Sequence, residues 1–165
     1  MYYRKTSPAE GIANARTQRE IDSPDCILVV DDQDYIRCYI ADSLIHSGYQ
    51  VDTAENGATA WDMLQLKRYD LLVTDNDMPR VSGIELLKKL HAISMTLPVV
   101  MATGTSPEEE LTQNPWLQPA AMLLKPFSGG ELTRAVEKAL HVTDRSRQRL
   151  CSIRRPRLAH HHNSE

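Results

Sequence analysis

The chain lacks any apolar run long enough to cross a membrane. A spanning helix needs about 18 or more consecutive apolar residues, and every apolar run here is far shorter. The first 25 residues are polar and mixed in charge, without the apolar core of a secretory signal peptide. We therefore expect a cytoplasmic protein with no membrane segment.

Cysteine is scarce and scattered. The three cysteines are Cys26, Cys38 and Cys151, and they form no Cys-x-x-Cys pair. An odd, scattered set is typical of small buried thiols in a reducing compartment. The only His or Cys tract with close spacing is His160-His161-His162, which is typical of a solvated tail or an added tag. The sequence thus argues against a disulfide scaffold and a zinc site.

Charge is divided unevenly along the chain. Residues 25–142 carry 17 acidic and 9 basic side chains, a net charge of −8. Residues 143–165 carry six arginines against two acids, a net charge of +4, and residues 1–24 have a net charge of +1. We predict a flexible arm over 1–24, one domain over 25–142 and a basic, disordered tail over 143–165. The tail has no aromatic residue to stack on a base, which argues against nucleic acid as a partner and leaves the chain's own acidic body or an acidic protein.

Five short strands are predicted. Three continuous apolar runs bounded by polar residues indicate strands buried on both faces: Cys26–Val30, Leu71–Thr74 and Ala120–Leu124. Two further strands are predicted at Gln50–Ala54 and Pro98–Ala102. Apolar residues at helical spacing follow every strand except the fourth, whose helix is short. This alternation predicts an α/β fold with a parallel sheet and helices on both faces.

Capping signals mark three of the helices. Asn56 can cap the second helix, and Ser128 with Glu131 has the spacing of a capping box at the start of the fifth. Ser106 is predicted to cap the fourth helix, which Asn114-Pro115 ends after about two turns.

Charged residues close the predicted strands. Asp31 and Asp32 follow the first strand, Asp75 follows the third with Asp77 two residues later, and Lys125 follows the fifth. In an open parallel sheet, ligands bind beyond the carboxyl ends of the strands. Two carboxylates about 4 Å apart repel by about 4 kcal/mol at an effective dielectric constant of 20. The pattern therefore predicts a divalent cation at this edge.

The chain resembles the receiver domain of two-component response regulators over residues 26–141. Five motifs, each at a strand end, carry the resemblance: Asp31-Asp32, Asp75, Met78-Pro79, Thr103-Gly104 and Lys125-Pro126-Phe127. The resemblance implies a flavodoxin-like (βα)5 fold with strand order 2-1-3-4-5. It also implies a single-domain signalling protein rather than an enzyme, because nothing after residue 141 resembles an output module.

The resemblance assigns roles to the site. Asp75 is expected to be the phosphoacceptor, served by a histidine kinase or a histidine phosphotransfer protein, and a carboxylate can attack phosphorus. Lys125 and Thr103 are expected to contact the phosphoryl group. The cognate kinase, the downstream target and the oligomeric state are left open.

The expected cofactor is Mg²⁺. By resemblance, its ligands are Asp32 directly, Asp31 through water or by orientation, Asp75 and the backbone carbonyl of Asp77. Mg²⁺ usually takes one or two carboxylates and keeps several waters until phosphate binds.

Two alternatives stay open. A Mg²⁺-dependent phosphatase would also pass through an aspartyl phosphate, and such enzymes often carry a second acid where Asp77 stands. A binding-only receiver would need to have lost Asp32, Asp75 or Lys125, and all three are present. Met122 stands where receivers often carry Tyr or Phe, so an unusual output surface and simple repacking are both open.

Overall fold

A computed structural model describes the backbone of residues 24–153 and the side chains of residues 24–142. The arm predicted for residues 1–24 and the end of the predicted tail lie almost wholly outside these residues. Five strands alternate with five helices along the chain: β1 (Cys26–Val30), α1 (Asp34–His46), β2 (Gln50–Ala54), α2 (Gly57–Leu66), β3 (Leu71–Thr74), α3 (Gly83–Ala92), β4 (Val99–Thr103), α4 (Glu108–Gln113), β5 (Ala121–Leu124) and α5 (Gly129–Ile153).

The strands form one parallel sheet in the order β2-β1-β3-β4-β5. This confirms the predicted α/β class and strand order. Val30 at the end of β1 pairs with Thr74 at the end of β3, and Thr103 pairs with Leu124 across β4 and β5. The residues that follow these strands therefore leave the sheet at the same edge.

Two apolar layers hold the helices on the sheet. Ile40 and Leu44 of α1 and Leu132 of α5 are fully buried on one face with Val29 and Val73. The opposite face packs against α2, α3 and α4 through Ala60, Leu64, Ile84, Leu87, Leu90 and Leu111. Burial of these apolar faces provides the main stabilisation of the domain.

Side-chain caps fix the starts of three helices. The Asn56 side chain accepts a backbone N–H of the first turn of α2 at 2.9 Å. The Glu131 carboxylate accepts the Ser128 N–H at 2.8 Å, and the Ser128 hydroxyl accepts the Glu131 N–H at 3.3 Å. Both caps were predicted. A second capping box, formed by Ser82 and Glu85 at the start of α3, was not.

The predicted cap of the fourth helix is wrong. α4 starts at Glu108, and no side chain caps it. The Ser106 hydroxyl donates instead to the Met122 sulfur at 3.5 Å. Pro107 takes the N-cap position in place of Ser106, and its carbonyl accepts the Leu111 N–H at 3.0 Å. The predicted end is confirmed, since α4 stops before Asn114.

β4 is shifted by one residue from its predicted range, Pro98–Ala102. Pro98 has no N–H to add to the ladder, so the strand begins at Val99. It extends to Thr103 because the Thr103 carbonyl accepts the Lys125 N–H at 2.9 Å.

The prediction that the last strand is buried on both faces is also wrong. Ala121 and Leu123 pack into the core, but Met122 is 37% exposed and Leu124 is 57% exposed. β5 is an edge strand, and the neighbouring helix α4 has six residues. A helix this short leaves one face of β5 open.

Helix α5 continues past position 142, where the predicted domain ends, and runs to Ile153. The division of the chain into arm, domain and tail stays a prediction. None of the helices within residues 24–153 combines the length and apolar character needed to cross a bilayer.

Candidate functional site

Three carboxylates meet where β1 and β3 end. Each of Asp31, Asp32 and Asp75 offers an oxygen, and these atoms lie within 4.8 Å of one another. Asp31 is fully buried and Asp75 is 3% exposed, whereas Asp32 faces solvent. The register of β1 with β3 produces this meeting, because both strands end at the same level. The structure thus brings together three of the predicted metal ligands.

Every polar group of Asp31 takes part in a hydrogen bond. One carboxylate oxygen accepts the Gln33 N–H at 2.9 Å and the other accepts the Lys125 ammonium at 2.7 Å. Its backbone N–H donates to the Ala54 carbonyl at 3.3 Å. Its backbone carbonyl accepts Nη1 of Arg37 at 2.7 Å. A buried carboxylate needs such partners, since an unpaired one would be strongly destabilising.

Asp75 has two different carboxylate oxygens. Oδ1 accepts the backbone N–H groups of Asn76 at 2.7 Å and Asp77 at 3.3 Å. Oδ2 lies 3.1 Å from Nζ of Lys125. Consecutive amides that converge on Oδ1 fix the carboxylate, so Oδ2 points towards the lysine and the other acids. The two oxygens therefore have different partners.

Lys125 supplies a cation inside the acid cluster. It follows β5, its side chain is 16% exposed, and the Lys125–Pro126 peptide bond is cis. Burial alone would lower the pKa of Lys125, but hydrogen bonds and charge interactions with Asp31 and Asp75 raise this pKa above its ordinary value. The side chain is therefore an ammonium ion at neutral pH.

Thr103 and Asp77 lie beside the cluster rather than in it. The buried Thr103 hydroxyl donates to the carbonyl of Thr105 at 3.0 Å. The exposed Asp77 carboxylate accepts the Asn76 side-chain amide at 3.4 Å. No hydrogen bond within residues 24–142 joins the Thr103 hydroxyl to the three acids. The phosphoryl contact of Thr103 and the ligand role of the Asp77 carbonyl stay predictions.

The donor set fits Mg²⁺. Magnesium prefers carboxylate oxygens and retains water molecules in most protein sites. The two buried acids are already fixed, and the exposed Asp32 keeps one side of the cluster open to water. Lys125 offsets part of the repulsion among the carboxylates when no cation is bound.

The sequence argument missed two residues that support the site. Arg37 contacts Asp31 and forms an ion pair with Asp34; the spacing of Asp34 and Arg37 on one helix was the available signal. The Asn76 side chain accepts the Ile84 N–H at 3.2 Å, and its carbonyl accepts the Gly83 N–H at 3.2 Å. The loop after β3 is thus tied to the start of α3.

Comparison with known proteins gives a consistent result. The family model described as "Response regulator receiver domain" matches residues 27–137. Sporulation initiation phosphotransferase F of Bacillus subtilis is 33% identical over 114 residues, covering 69% of this chain and 92% of that protein. The response regulator receiver protein CpdR of Brucella abortus is 32% identical over 114 residues, covering 69% of this chain and 95% of that protein.

Solved structures share the fold. One is the response regulator protein TrrA from Thermotoga maritima in complex with Mg(2+)-BeF, with a TM-score of 0.62 and 31% identity. The match covers 70% of this chain and 99% of that one. The strand order, the acids that meet at the ends of β1 and β3, and these matches all agree, and the chain belongs to the response regulator receiver domain family.

Proposed function

We propose that this chain is the phosphoacceptor of a two-component system or phosphorelay, and that Asp75 receives a phosphoryl group from a phosphohistidine. One observation carries the proposal: Asp75 has one oxygen fixed by two amides and the other 3.1 Å from the partly buried Lys125. Receiver domains are signalling domains, and the donor is a histidine kinase or a histidine phosphotransfer protein. Within residues 24–142, Cys26 and Cys38 are free thiols, which is consistent with a reducing, cytoplasmic compartment.

In the transfer step, a carboxylate oxygen of Asp75 forms a bond to phosphorus while the bond from phosphorus to the imidazole nitrogen breaks. The electron pair of that bond stays on the imidazole nitrogen while the other ring nitrogen carries a proton, so the products are an acyl phosphate and a neutral histidine. Oδ2 is the oxygen available for attack because Oδ1 is held by backbone amides. Lys125 lies where it can pair with the oxygens of the arriving phosphoryl group.

Mg²⁺, when bound, neutralises charge on the phosphoryl oxygens and the acids. In this proposal Asp31, Asp32 and Asp75 hold the ion, assisted by the Asp77 carbonyl. The Asp31 carboxylate is held by Gln33 and Lys125, whereas no hydrogen bond within residues 24–142 holds the Asp32 carboxylate. Phosphorylation at Asp75 would then alter how the domain binds its target.

The lining of the neighbouring cavity disfavours the phosphatase alternative. A cavity of about 440 Å³ opens beside the site, and it is lined by Asp77 and three consecutive acids, Glu108, Glu109 and Glu110. A phosphate ester would meet negative charge there. A binding-only role is also less consistent, since the acids and Lys125 are not merely present but joined in one network.

The test is intact-protein mass spectrometry after incubation with acetyl phosphate, with Mg²⁺ or with EDTA. We expect one phosphoryl group per chain with Mg²⁺ and little with EDTA. Asp75→Asn should abolish the adduct. Asp77→Asn is the matched control, because it removes an exposed carboxylate two residues away and should leave the adduct in place.

Two results would contradict the proposal. An adduct that survives in Asp75→Asn would place the phosphoryl group elsewhere. Steady turnover of small phosphate esters that depends on both Asp75 and Asp77 would instead favour the phosphatase.

A further inference from the structure

The Asp32 carboxylate is not held by contacts of its own. Its side chain is exposed, and within residues 24–142 no hydrogen bond or ion pair holds its carboxylate. The place of this carboxylate is therefore set by the backbone that carries it. That backbone is the short connection from β1 to α1.

Arg37 holds the peptide unit that joins the two acids of this connection. The Asp31 carbonyl and the Asp32 N–H belong to one planar peptide group. Nη1 of Arg37 donates to that carbonyl at 2.7 Å, and Nη2 forms an ion pair with Asp34 in the first turn of α1. If the carbonyl turned, the Cα of Asp32 and its carboxylate would turn with it.

The burial and shape of the Arg37 side chain suit it to hold this peptide group in place. The Arg37 side chain is 15% exposed, whereas that of Asp34 is 87% exposed. The guanidinium group is a rigid fork, so two bonds fix its direction as well as its position. The Gln33 N–H, donated to the Asp31 carboxylate at 2.9 Å, restrains the connection at a second point.

We infer that Arg37 is a positioning residue for the Mg²⁺ site: it orients the Asp31–Asp32 peptide so that the Asp32 carboxylate meets Asp31 and Asp75. The inference rests on the proposed function, since it assumes that these acids bind the ion. It assigns Arg37 no contact with the metal or the phosphoryl group.

Charge and geometry predict opposite effects of removing Arg37. By charge alone, loss of a neighbouring cation should strengthen the binding of Mg²⁺. By geometry, loss of the fork should weaken it, and outer-shell partners typically change metal affinity by about 10- to 100-fold. Whether the Kd for Mg²⁺ falls or rises when Arg37 is replaced therefore distinguishes the effect of charge from the effect of geometry.

The experiment is calorimetric titration of the full, unphosphorylated chain with MgCl2. Arg37→Met removes charge and fork but keeps much of the apolar stem, and we expect it to raise the Kd about tenfold. Arg37→Lys keeps the charge and loses the fork, and we expect roughly a threefold rise. Arg134→Met, on the exposed side of α5, is the matched control for charge and should leave the Kd unchanged.

A kinetic readout separates positioning from catalysis. With acetyl phosphate as donor, the Mg²⁺ concentration for half-maximal phosphorylation should rise in both Arg37 variants, while the rate at saturating Mg²⁺ stays within about twofold of the parent. Far-UV circular dichroism establishes that each variant is folded. If Arg37→Met fails to fold, the Arg37→Lys variant alone tests the inference.

Three outcomes overturn the inference. An Arg37→Met Kd equal to or below that of the parent would show that the fork has no positioning role. Equal weakening in Arg134→Met would show that the effect is not specific to the Asp31–Asp32 peptide, since loss of charge alone should strengthen binding. A parent chain that binds no Mg²⁺ would refute the proposed metal site itself. If the parent binds Mg²⁺ and both Arg37 variants bind it equally well, only the inference about Arg37 is refuted.

Discussion

Lys125→Met should destabilise the domain strongly in the absence of divalent cations. The lysine pairs with Asp31 at 2.7 Å and with Asp75 at 3.1 Å, and both acids are buried. Methionine keeps a similar apolar stem but removes the ammonium. The variant therefore leaves two buried carboxylates without their only cation among residues 24–142.

The expected loss is about 2–3 kcal/mol in the free energy of unfolding. Removing one partner of a buried pair typically costs about 3–5 kcal/mol. We take a lower range because the Lys125 side chain is 16% exposed and because backbone amides still donate to both acids. For a domain of this size the change is a fall of roughly 8–12 °C in Tm.

Urea unfolding in EDTA at neutral pH measures the effect, and Lys67→Met is its matched control. Lys67 also lies 2.7 Å from an aspartate, Asp52, but both side chains are more than a third exposed. Exposed pairs contribute little, so Lys67→Met should be far less destabilising. Equal losses in the two variants, or a Lys125→Met variant as stable as the parent, would refute the reasoning.

The pH dependence of the Lys125 contribution has a defined sign. Because the pKa of Lys125 is raised in the folded domain, its contribution is fully present below the ordinary lysine pKa. It is lost only as the pH rises through the raised value. The difference in stability between parent and Lys125→Met should thus persist at neutral pH and shrink in strong alkali.

Two further predictions concern backbone geometry near the site. Gly83→Ala would place a Cβ 2.4 Å from the Asp75 carbonyl oxygen and should cost about 1–3 kcal/mol of stability. Gly130→Ala meets no atom within 4 Å and should be neutral or slightly stabilising. Urea unfolding compares the two variants, and equal stabilities would contradict the close approach of Gly83 to Asp75. Asn56→Ala removes the cap of α2 and should cost about 0.5–2 kcal/mol by the same assay, so an unchanged midpoint would show that the cap is dispensable.

Much of the fold and the acid cluster was predictable because both depend on local pattern. Apolar runs set the strands, and the acids that follow them reach one edge because parallel strands end together. Asp31, Asp32, Asp75 and Lys125 were identified in this way. To predict that these residues lie together, it was enough to predict the parallel sheet, without any other contact between distant segments.

Two of the predictions that failed depend on contacts between distant segments. Ser106 has the chemistry of a cap, but Met122 on β5 offers its hydroxyl an alternative partner. The exposure of Leu124 follows from the shortness of a helix that packs over the neighbouring strand. The bond from Arg37 to the Asp31 carbonyl depends on a rotamer, which a residue pattern does not specify.

The ammonium of Lys125 is a counter-ion for the acids that belongs to the chain itself, so the domain should be able to fold without a bound metal ion. A zinc finger without zinc unfolds because nothing else satisfies its ligands. Here the chain carries its own cation, so the acids can come together without a metal ion. Three acids against one lysine leave a formal charge of −2, which would balance the +2 charge of the magnesium ion that the site is proposed to bind.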